Sequence, residues 1–306
     1  MNAARRRPGP RHLAIVGPTA SGKSSLALEL ARSRDDVEIV TVDSMQVYRG
    51  MDIGTAKPTP AERAEIPHHL LDVCDPDDDY TVARYQRDCT AVLSAIESRG
   101  HRALLVGGTG LYLRAVVDDL DIPGRYPEVR AELESDPDDG SLHDRLAVLD
   151  PLAASRIERS NRRRIVRALE VTIGSGRAFS SYGPGLEDHP PSPFPVVGLA
   201  IERDELDRRI EERYAHQLAE GFVDEVRALL DRPGGIGRTA RQALGYAEIL
   251  AHLEHGLPLD EAMAHAVQRT RRFARRQQRW FGRDPRITWV PVDQDPVAAL
   301  ARTLVD

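Results

Sequence analysis

The stretch that decides the fold follows a short apolar run, Leu13-Ala14-Ile15-Val16, and reads Gly17-Pro18-Thr19-Ala20-Ser21-Gly22-Lys23-Ser24. These residues fit the pattern G-x-x-x-x-G-K-[ST], and the positions after them repeat apolar residues at helical spacing, as Leu26 and Leu30 do. A buried strand, a glycine-rich turn and a helix in this order predict a phosphate-binding loop.

The chemistry of this loop depends on its backbone as much as on its side chains. Glycines let successive N–H groups turn toward an anion, and the N-terminus of the following helix favours negative charge. Lys23 adds a positive charge for the phosphates, and the Ser24 hydroxyl can ligate Mg²⁺. Any di- or triphosphate fits such a loop, with ATP or GTP the usual occupant, so the loop alone does not identify the ligand.

Strands and helices alternate along the N-terminal part of the chain. Residues 37–42 form a β-branched run that ends at Asp43, residues 81–98 are predicted as a helix, and residues 103–106 form a buried strand that ends at Gly107-Gly108. This alternation predicts an α/β fold of the P-loop NTPase-like, nucleotide-kinase-like class. We expect a parallel sheet flanked by helices, with its sites at the carboxyl ends of the strands.

The pattern changes after Leu120. Residues 121–195 contain helical segments rich in Arg and Glu and close with a linker rich in Pro and Gly, after which residues 196–201 return to strand character. We therefore expect an all-helical insertion domain at 121–195. The catalytic core then consists of residues 1–120 and 196–306.

Composition restricts the class of protein. Of the 306 residues, 41% are hydrophobic and 29% charged, which is typical of a globular chain. No apolar run approaches the roughly 20 residues that span a bilayer, so we expect no membrane contact.

Residues 1–12 are interpreted as a basic tail and not a signal peptide, because the apolar run behind them is too short. Cys74 and Cys89 lack metal-type spacing and cannot form a disulfide framework. We expect a cytoplasmic monomer.

The net charge of -6 does not by itself indicate nucleic-acid binding. Arginines nevertheless concentrate in residues 156–167 and 269–283, and local patches set the field that a polyanion meets. In the second segment, arginines recur at three- and four-residue intervals, so they share one helix face that can align with phosphates. Such a stripe can equally pair with the protein's own carboxylates or face solvent. These two interpretations stay open beside the contact with phosphates. Its members are Arg269, Arg272, Arg276 and Arg279.

Two residues at strand ends are candidates for chemistry. Asp43 closes the second strand, where a carboxylate can be a general base, a Mg²⁺ partner or a cap for the next turn. Thr109 follows the pair Gly107-Gly108 at the matching end of another strand. A threonine there can contact a substrate or cap the following helix.

Together these segments resemble the tRNA dimethylallyltransferase family, the isopentenyl transferases that modify adenosine 37 beside the anticodon. The phosphate loop alone is a weak signal, whereas the block at 43–58 is highly specific and the ordered series covers nearly the whole chain. The segments are 17–24 (GPTASGKS), 43–58 (DSMQVYRGMDIGTAKP), 67–72 (PHHLLD), 106–112 (VGGTGLY), 167–171 (RALEV), 209–213 (RIEER), 242–246 (QALGY) and 275–281 (RRQQRWF).

The resemblance implies substrates and roles that the residues alone do not. The substrates would be dimethylallyl diphosphate and the anticodon stem-loop of a tRNA, with the prenyl group moving to the adenine N6 and Mg²⁺ assisting. Asp43 matches the general base of the family, Arg213 an arginine on the diphosphate, and Thr109 a position that contacts the target nucleotide. The family often has Gln where Arg163 stands. Positions that match tRNA contacts are Asp43, Ser44, Met45, Gln46, Thr109, Arg130, Arg163, Arg164, Ile165, Val166 and Arg167.

Three other functions remain open at this point. A small-molecule P-loop kinase would keep the phosphate loop and the Asp43 position but would turn over ATP. An enzyme that prenylates free adenine nucleotides would not need the insertion. A non-catalytic RNA-binding protein with a nucleotide switch would not need Asp43, Thr109 and Arg213 together.

Overall fold

The computed structural model describes residues 12–292, and six parallel strands form its one sheet. The strands are β1 (Leu13–Val16), β2 (Val37–Val42), β3 (His68–His69), β4 (Arg102–Gly107), β5 (Val196–Ala200) and β6 (Ile287–Pro291). Their order across the sheet is β3-β2-β4-β1-β5-β6, so β4 lies between β1 and β2. The predicted α/β class is confirmed.

Helices connect and flank these strands. Those of the core are α1 (Lys23–Arg32), α2 (Pro60–Glu65), α3 (Val82–Ser98), α4 (Gly110–Val117), α9 (Arg203–Ala219), α10 (Phe222–Leu230), α11 (Tyr246–His255) and α12 (Leu259–Phe281), with a 3₁₀ turn at Ala240–Gln242. Those between α4 and β5 are α5 (Pro127–Ser135), α6 (Asp139–Leu149), α7 (Pro151–Arg156) and α8 (Arg162–Ser175), with a 3₁₀ turn at Phe179–Tyr182.

Side chains of each strand alternate between two buried faces, as the two-residue period of a strand requires. In β1, Leu13 and Ile15 pack with Leu30 of α1, whereas Ala14 and Val16 join the larger cluster on the other face. All four β1 residues are buried, which is expected of a central parallel strand covered by helices on both sides.

The chain divides into two compact units, and the boundary falls at Asp118 and Pro190. The smaller unit, Asp118–Pro190, contains α5 to α8 and has its own apolar core around Leu133, Leu146 and Leu169. Its described elements are all helical. The larger unit holds the sheet, together with the described residues up to Val117 and from Pro191 onward.

Local signals explain where several helices begin. The Thr81 hydroxyl accepts a hydrogen bond from the Arg84 N–H and starts α3, and the Asn161 side chain does the same for α8 through the Arg164 N–H. Gly176, with φ 69°, ends α8 in the left-handed conformation that glycine adopts most easily.

Within the described part of the chain, 12–292, no helix combines the length and apolarity that a membrane crossing needs. Of the predicted basic tail at residues 1–12, only His12 is described. It is not part of a tail, because it is buried and its Nδ1 accepts a hydrogen bond from the Ala103 N–H.

Candidate active site

Three neighbouring strands end in one row. Val16 of β1 lies beside Gly107 of β4, and Gly107 in turn lies beside Val42 of β2. The residues that follow these strands therefore meet at one edge of the sheet, which brings the loop beginning at Gly17 to the same edge as Asp43. Carboxyl ends of parallel strands are the usual place for a site in this class of fold.

The phosphate loop, residues 17–24, runs from β1 directly into α1. Gly22 has φ 91° and stands immediately before α1, a conformation that suits glycine. The Lys23 ammonium donates a hydrogen bond to the carbonyl oxygen of Pro18 over 2.6 Å, and the side chain is only 9% exposed. In this structure Lys23 therefore folds back across its own loop.

The pKa of Lys23 is lowered to about 8. Burial is the largest cause, because the ammonium is removed from water; nearby Arg213 lowers the pKa further, whereas nearby Asp43 raises it. The three predicted groups are thus close enough to interact electrostatically, and the pKa of the loop lysine lies nearer to neutral pH than that of an ordinary lysine.

Arg213 reaches the phosphate loop from α9. Its guanidinium donates to the Thr19 hydroxyl over 2.9 Å and to the Gly54 carbonyl over 3.1 Å. Sequence reasoning placed Arg213 near a diphosphate only by resemblance. The structure brings it to the loop and shows which two oxygens orient it.

Of the interpretations left open by its sequence position, the structure shows that Asp43 is a cap for the next turn, and it leaves the general-base role a prediction. Its Oδ1 accepts hydrogen bonds from the N–H groups of Met45 (2.8 Å) and Gln46 (3.3 Å), so the carboxylate caps the turn that follows β2. Within residues 12–292, Oδ2 has no hydrogen-bond partner. The cap thus occupies one oxygen and leaves the other for a proton.

Thr109 connects the ends of β4 and β2. Its hydroxyl accepts a hydrogen bond from the Ser44 N–H over 3.1 Å, and its own N–H donates to the Val42 carbonyl over 3.2 Å. The side chain therefore caps the β2 turn and not α4. The α4 helix begins instead on the Thr109 carbonyl, which accepts from the N–H of Leu113.

The predicted tRNA contacts of the β2 turn have structural partners here. The Ser44 N–H donates a hydrogen bond to the Thr109 hydroxyl, and Met45 is partly buried against the main core. The Gln46 amide donates to the carbonyls of Thr55 (3.0 Å) and Ala56 (3.1 Å), which ties the two ends of the 43–58 block together.

Gln277 of α12 lies close to the phosphate loop, and its position in the sequence alone did not predict a role there. Its Oε1 accepts from the Thr19 N–H over 2.9 Å, and its Nε2 donates to the Gly108 carbonyl over 2.9 Å. One side chain of α12 thus joins the phosphate loop to the loop after β4. In the sequence, Gln277 stands out only as a polar residue on the face of α12 that also carries Thr270 and Ala274, and all three are buried.

The predicted cations of the smaller unit fall into two groups. Arg130 and Arg167 both pair with the buried carboxylate of Glu170, at 3.3 and 2.9 Å. Arg167 also donates to the carbonyls of Pro123 and Gly124, so its guanidinium is occupied by the unit's own chain.

The remaining predicted residues of this segment differ by helix face. Arg163 and Arg164 are exposed, and within the described residues neither makes an ion pair. Ile165 and Val166 are 0% and 1% exposed in the core of the smaller unit, so their side chains offer no surface to a nucleic acid in this structure.

The arginine stripe of α12 is also divided. Arg269 pairs with Glu248 over 2.9 Å, as one of the open interpretations expected. The other three members, Arg272, Arg276 and Arg279, line an open surface depression together with Arg275 and Gln278. Phe281 is buried, and Trp280 lies against Gly110, where a Cβ would come within 2.1 Å of its Nε1.

The described residues form no dedicated acidic metal site. Residues 12–292 contain no group of three or more His, Cys, Asp or Glu side chains that could hold an ion. His69 forms a hydrogen bond with Glu38, and His68 forms one with the Ile66 carbonyl. The two adjacent histidines therefore do not form a pair of metal ligands.

The parallel sheet and the loop between β1 and α1 define an α/β protein of the P-loop class. A family model described as IPP transferase matches residues 46–284, and one described as isopentenyl transferase matches residues 10–74. The chain belongs to the IPP transferase family. It is 50% identical to a tRNA dimethylallyltransferase of Streptomyces avermitilis, over 98% of this chain and 97% of the relative. A Geobacter sulfurreducens enzyme of the same name is 46% identical over 94% of each chain.

Solved structures agree with this assignment. The tRNA isopentenylpyrophosphate transferase of Bacillus halodurans is 36% identical, with a TM-score of 0.69 and coverage of 97% of this chain and 96% of that one. A eukaryotic dimethylallyltransferase acting on tRNA has a TM-score of 0.78 over 96% of this chain and 78% of that one. At 24% identity, the second likeness concerns the fold alone.

Proposed function

We propose that this protein transfers the dimethylallyl group of dimethylallyl diphosphate to N6 of adenosine 37 in tRNAs, which gives N6-dimethylallyladenosine and diphosphate. The observation that carries the proposal is the meeting of Lys23, Arg213 and Asp43 at one edge of the sheet. Two cations beside a phosphate loop suit a diphosphate, and a carboxylate close by suits removal of a proton. The names of relatives up to 50% identical support the same reaction.

The diphosphate is the leaving group. As N6 bonds to C1 of the allyl group, the C–O bond breaks and its electron pair leaves with the diphosphate. Lys23, Arg213 and the N–H groups of loop 17–24 stabilise the charge that develops there. The Ser21 hydroxyl, buried and without a partner among residues 12–292, is a further donor for the same oxygens.

Asp43 takes the proton that N6 loses. The Oδ2 atom is the base in this proposal, because Oδ1 already accepts two backbone N–H bonds. The Met45 and Gln46 N–H groups fix the carboxylate in one orientation, which is the positional requirement for a general base. Thr109 holds the same turn through the Ser44 N–H, so the nucleotide contact and the base share one support.

The residues present suit a Mg²⁺ ion that is held mainly by the phosphates of the substrate. The Ser24 hydroxyl is exposed in the first turn of α1, and Mg²⁺ commonly binds through one protein oxygen, water and substrate phosphates. When bound, the ion would neutralise part of the diphosphate charge.

The smaller unit is the proposed tRNA-binding domain, with Arg163 and Arg164 as its exposed cations and Arg130 and Arg167 as partly occupied ones. The protein is proposed to act as a monomer, since all the strand-end groups and Arg213 come from one chain. A cytoplasmic location is proposed because Cys74 and Cys89 are both free thiols.

The test is transfer of label. Purified protein is incubated with dimethylallyl diphosphate labelled in the allyl group and unmodified tRNA, and label is sought in the RNA. A matched tRNA with guanosine at position 37 should stay unlabelled. Absence of label in both RNAs, or transfer of the ATP γ-phosphate at an enzymatic rate, would overturn the proposal.

A further inference from the structure

A tight turn at residues 52–54 supports the Arg213 guanidinium from behind. Its Gly54 carbonyl accepts hydrogen bonds from Arg213 over 3.1 Å and from the Gln217 amide over 3.1 Å. Arg213 and Gln217 are four residues apart on α9 and therefore lie on one face of that helix. Of the two oxygens that orient Arg213, the Gly54 carbonyl is therefore the one whose position depends on this turn.

Glu225 of α10 holds the amide side of the same turn. Its carboxylate accepts hydrogen bonds from three consecutive N–H groups, those of Asp52 (2.9 Å), Ile53 (2.6 Å) and Gly54 (3.2 Å). Consecutive N–H groups that converge in this way form a concave site for an anion, and here the anion is the protein's own carboxylate.

A buried tyrosine fixes Glu225 in turn. The Tyr246 hydroxyl donates to Glu225 over 2.5 Å, and burial raises the pKa of Tyr246 well above its ordinary value, so the hydroxyl keeps its proton. Gly54 has no room for a side chain, because a Cβ would come within 2.2 Å of Phe222 and 2.4 Å of Tyr246. The turn therefore has one position against α10 and α11.

We infer that Glu225 is a positioning residue for the diphosphate site: it holds the turn at residues 52–54 so that the Gly54 carbonyl orients Arg213 over the phosphate loop. The inference rests on the proposed role of Arg213 toward a diphosphate. Glu225 itself touches neither the phosphate loop nor Lys23 among its hydrogen bonds and ion pairs within residues 12–292. Its effect on the ligand must therefore pass through Arg213.

The first variant is Glu225→Gln. A glutamine keeps the size but replaces one acceptor oxygen with an NH₂ group, so at least one N–H of the turn loses its partner and the carbonyl shifts. Misplacement of a binding group by about 1 Å can cost up to about a hundredfold in rate. We expect the Kd for inorganic diphosphate to rise about tenfold, with the same direction for dimethylallyl diphosphate. The matched control is Asp224→Asn, which should leave both Kd values unchanged. Asp224 is the exposed neighbour of Glu225, and among residues 12–292 its one ion pair is with Arg227.

A double-mutant cycle distinguishes positioning from a general loss of structure. If Glu225 acts through Arg213, the change Glu225→Gln in an Arg213→Ala background should not weaken diphosphate binding any further. Equal effects of Glu225→Gln with and without Arg213 would overturn the inference. Should a thermal melt show that Glu225→Gln does not fold, Tyr246→Phe is measured instead. It removes one hydrogen bond to the Glu225 carboxylate and acts on the ligand only indirectly, so we expect Kd to rise about two- to threefold.

The outcome also separates this inference from the proposed function. Unchanged diphosphate affinity in Glu225→Gln, together with weakened affinity in Arg213→Ala, overturns the inference and leaves the function standing. A parent protein that binds no diphosphate, or an Arg213→Ala variant that binds it normally, overturns the diphosphate site itself.

Discussion

Asp43 caps a turn through one carboxylate oxygen, and the general-base role proposed for it uses the other. The structure places Oδ1 on two backbone N–H groups, so loss of the whole side chain would loosen the turn as well as remove the base. Replacement by alanine therefore confounds the two roles, whereas asparagine separates them. An asparagine Oδ1 can still accept the two bonds, but its NH₂ group cannot take a proton.

We expect Asp43→Asn to lower turnover at least about a hundredfold, the usual scale of general-base catalysis. The Kd values for dimethylallyl diphosphate and tRNA should stay near those of the parent, because the turn is retained. Single-turnover rates and equilibrium binding measure the two effects separately. Near-normal turnover in the asparagine variant would show that another group takes the N6 proton.

Lys23 predicts a pH dependence of diphosphate binding. With its pKa near 8, the ammonium of the ligand-free protein loses its charge as the pH rises through about 8. A ligand that prefers charged Lys23 must then take up a proton on binding, so its affinity should fall by up to about tenfold per pH unit above 8. Isothermal titration in buffers of different ionisation enthalpy measures both the affinity and the proton uptake.

Lys23→Arg is the matched variant for this effect. A guanidinium stays charged throughout this range, so the fall in affinity between pH 8 and pH 9 should disappear even if the absolute affinity is lower. An identical pH profile in the two proteins would assign the titration to a different group.

At the scale of helices, the residues of α8 divide into a buried set and an exposed set. Ile165 and Val166 build the core of the smaller unit, whereas Arg163 and Arg164 are exposed beside them. Arg167 belongs with the structural face, because it holds the carbonyls of Pro123 and Gly124.

We expect the double change Arg163→Ala and Arg164→Ala to weaken tRNA binding and to lower its salt slope by about one unit per lost phosphate contact. Thermal stability and diphosphate affinity should not change. Arg167→Ala is the contrasting variant, because its loss should lower the melting temperature. If tRNA affinity and salt slope are unaffected by the double change, this face of α8 is only a solvated surface.

Elements with a local signal were predictable from sequence, and contacts between distant parts were not. The strand at residues 37–42 has its predicted bounds, and the helix predicted at 81–98 begins at Val82 because Thr81 is its cap. By contrast, no local pattern shows that Gln277 accepts a hydrogen bond from Thr19 or that Glu225 accepts hydrogen bonds from the turn at residues 52–54. Those contacts depend on how helices pack, and a single sequence without tertiary information does not specify that.

At the scale of the molecule, the two ends of the sheet serve different purposes. Asp43 follows the carboxyl end of β2, while Glu38 lies near its amino end, roughly 16 Å away at the usual rise of a strand. Burial opposes ionisation of Glu38, but hydrogen bonds from Arg99, His69 and His101 outweigh it and lower its pKa to about 2.

Glu38→Gln should therefore lower the free energy of unfolding by about 2 kcal/mol at pH 7, the scale of hydrogen bonds to a charged group. A lowered carboxyl pKa means that this stabilisation is complete above the ordinary Glu pKa of about 4.3 and is lost as the pH falls toward 2. Urea unfolding at pH 7 and pH 3 should show the difference between parent and variant shrinking. Glu29→Gln, on the exposed face of α1, is the control.

Substrate affinity should be equal in Glu38→Gln and the parent, since the change lies at the opposite end of the sheet. A marked loss of diphosphate affinity at a temperature where the variant is folded would contradict this separation.

The bond between Thr19 and Gln277 joins positions that are 258 residues apart in the chain. Ribosomes extend a chain at about 5 to 20 residues per second, so the phosphate loop leaves the ribosome roughly 10 to 50 seconds before the residue that completes it. Arg213 also arrives late, after the whole smaller unit has been made. A growing chain therefore carries the signature loop long before it carries a working site, and binding of the allylic substrate is expected to begin only when synthesis is nearly complete.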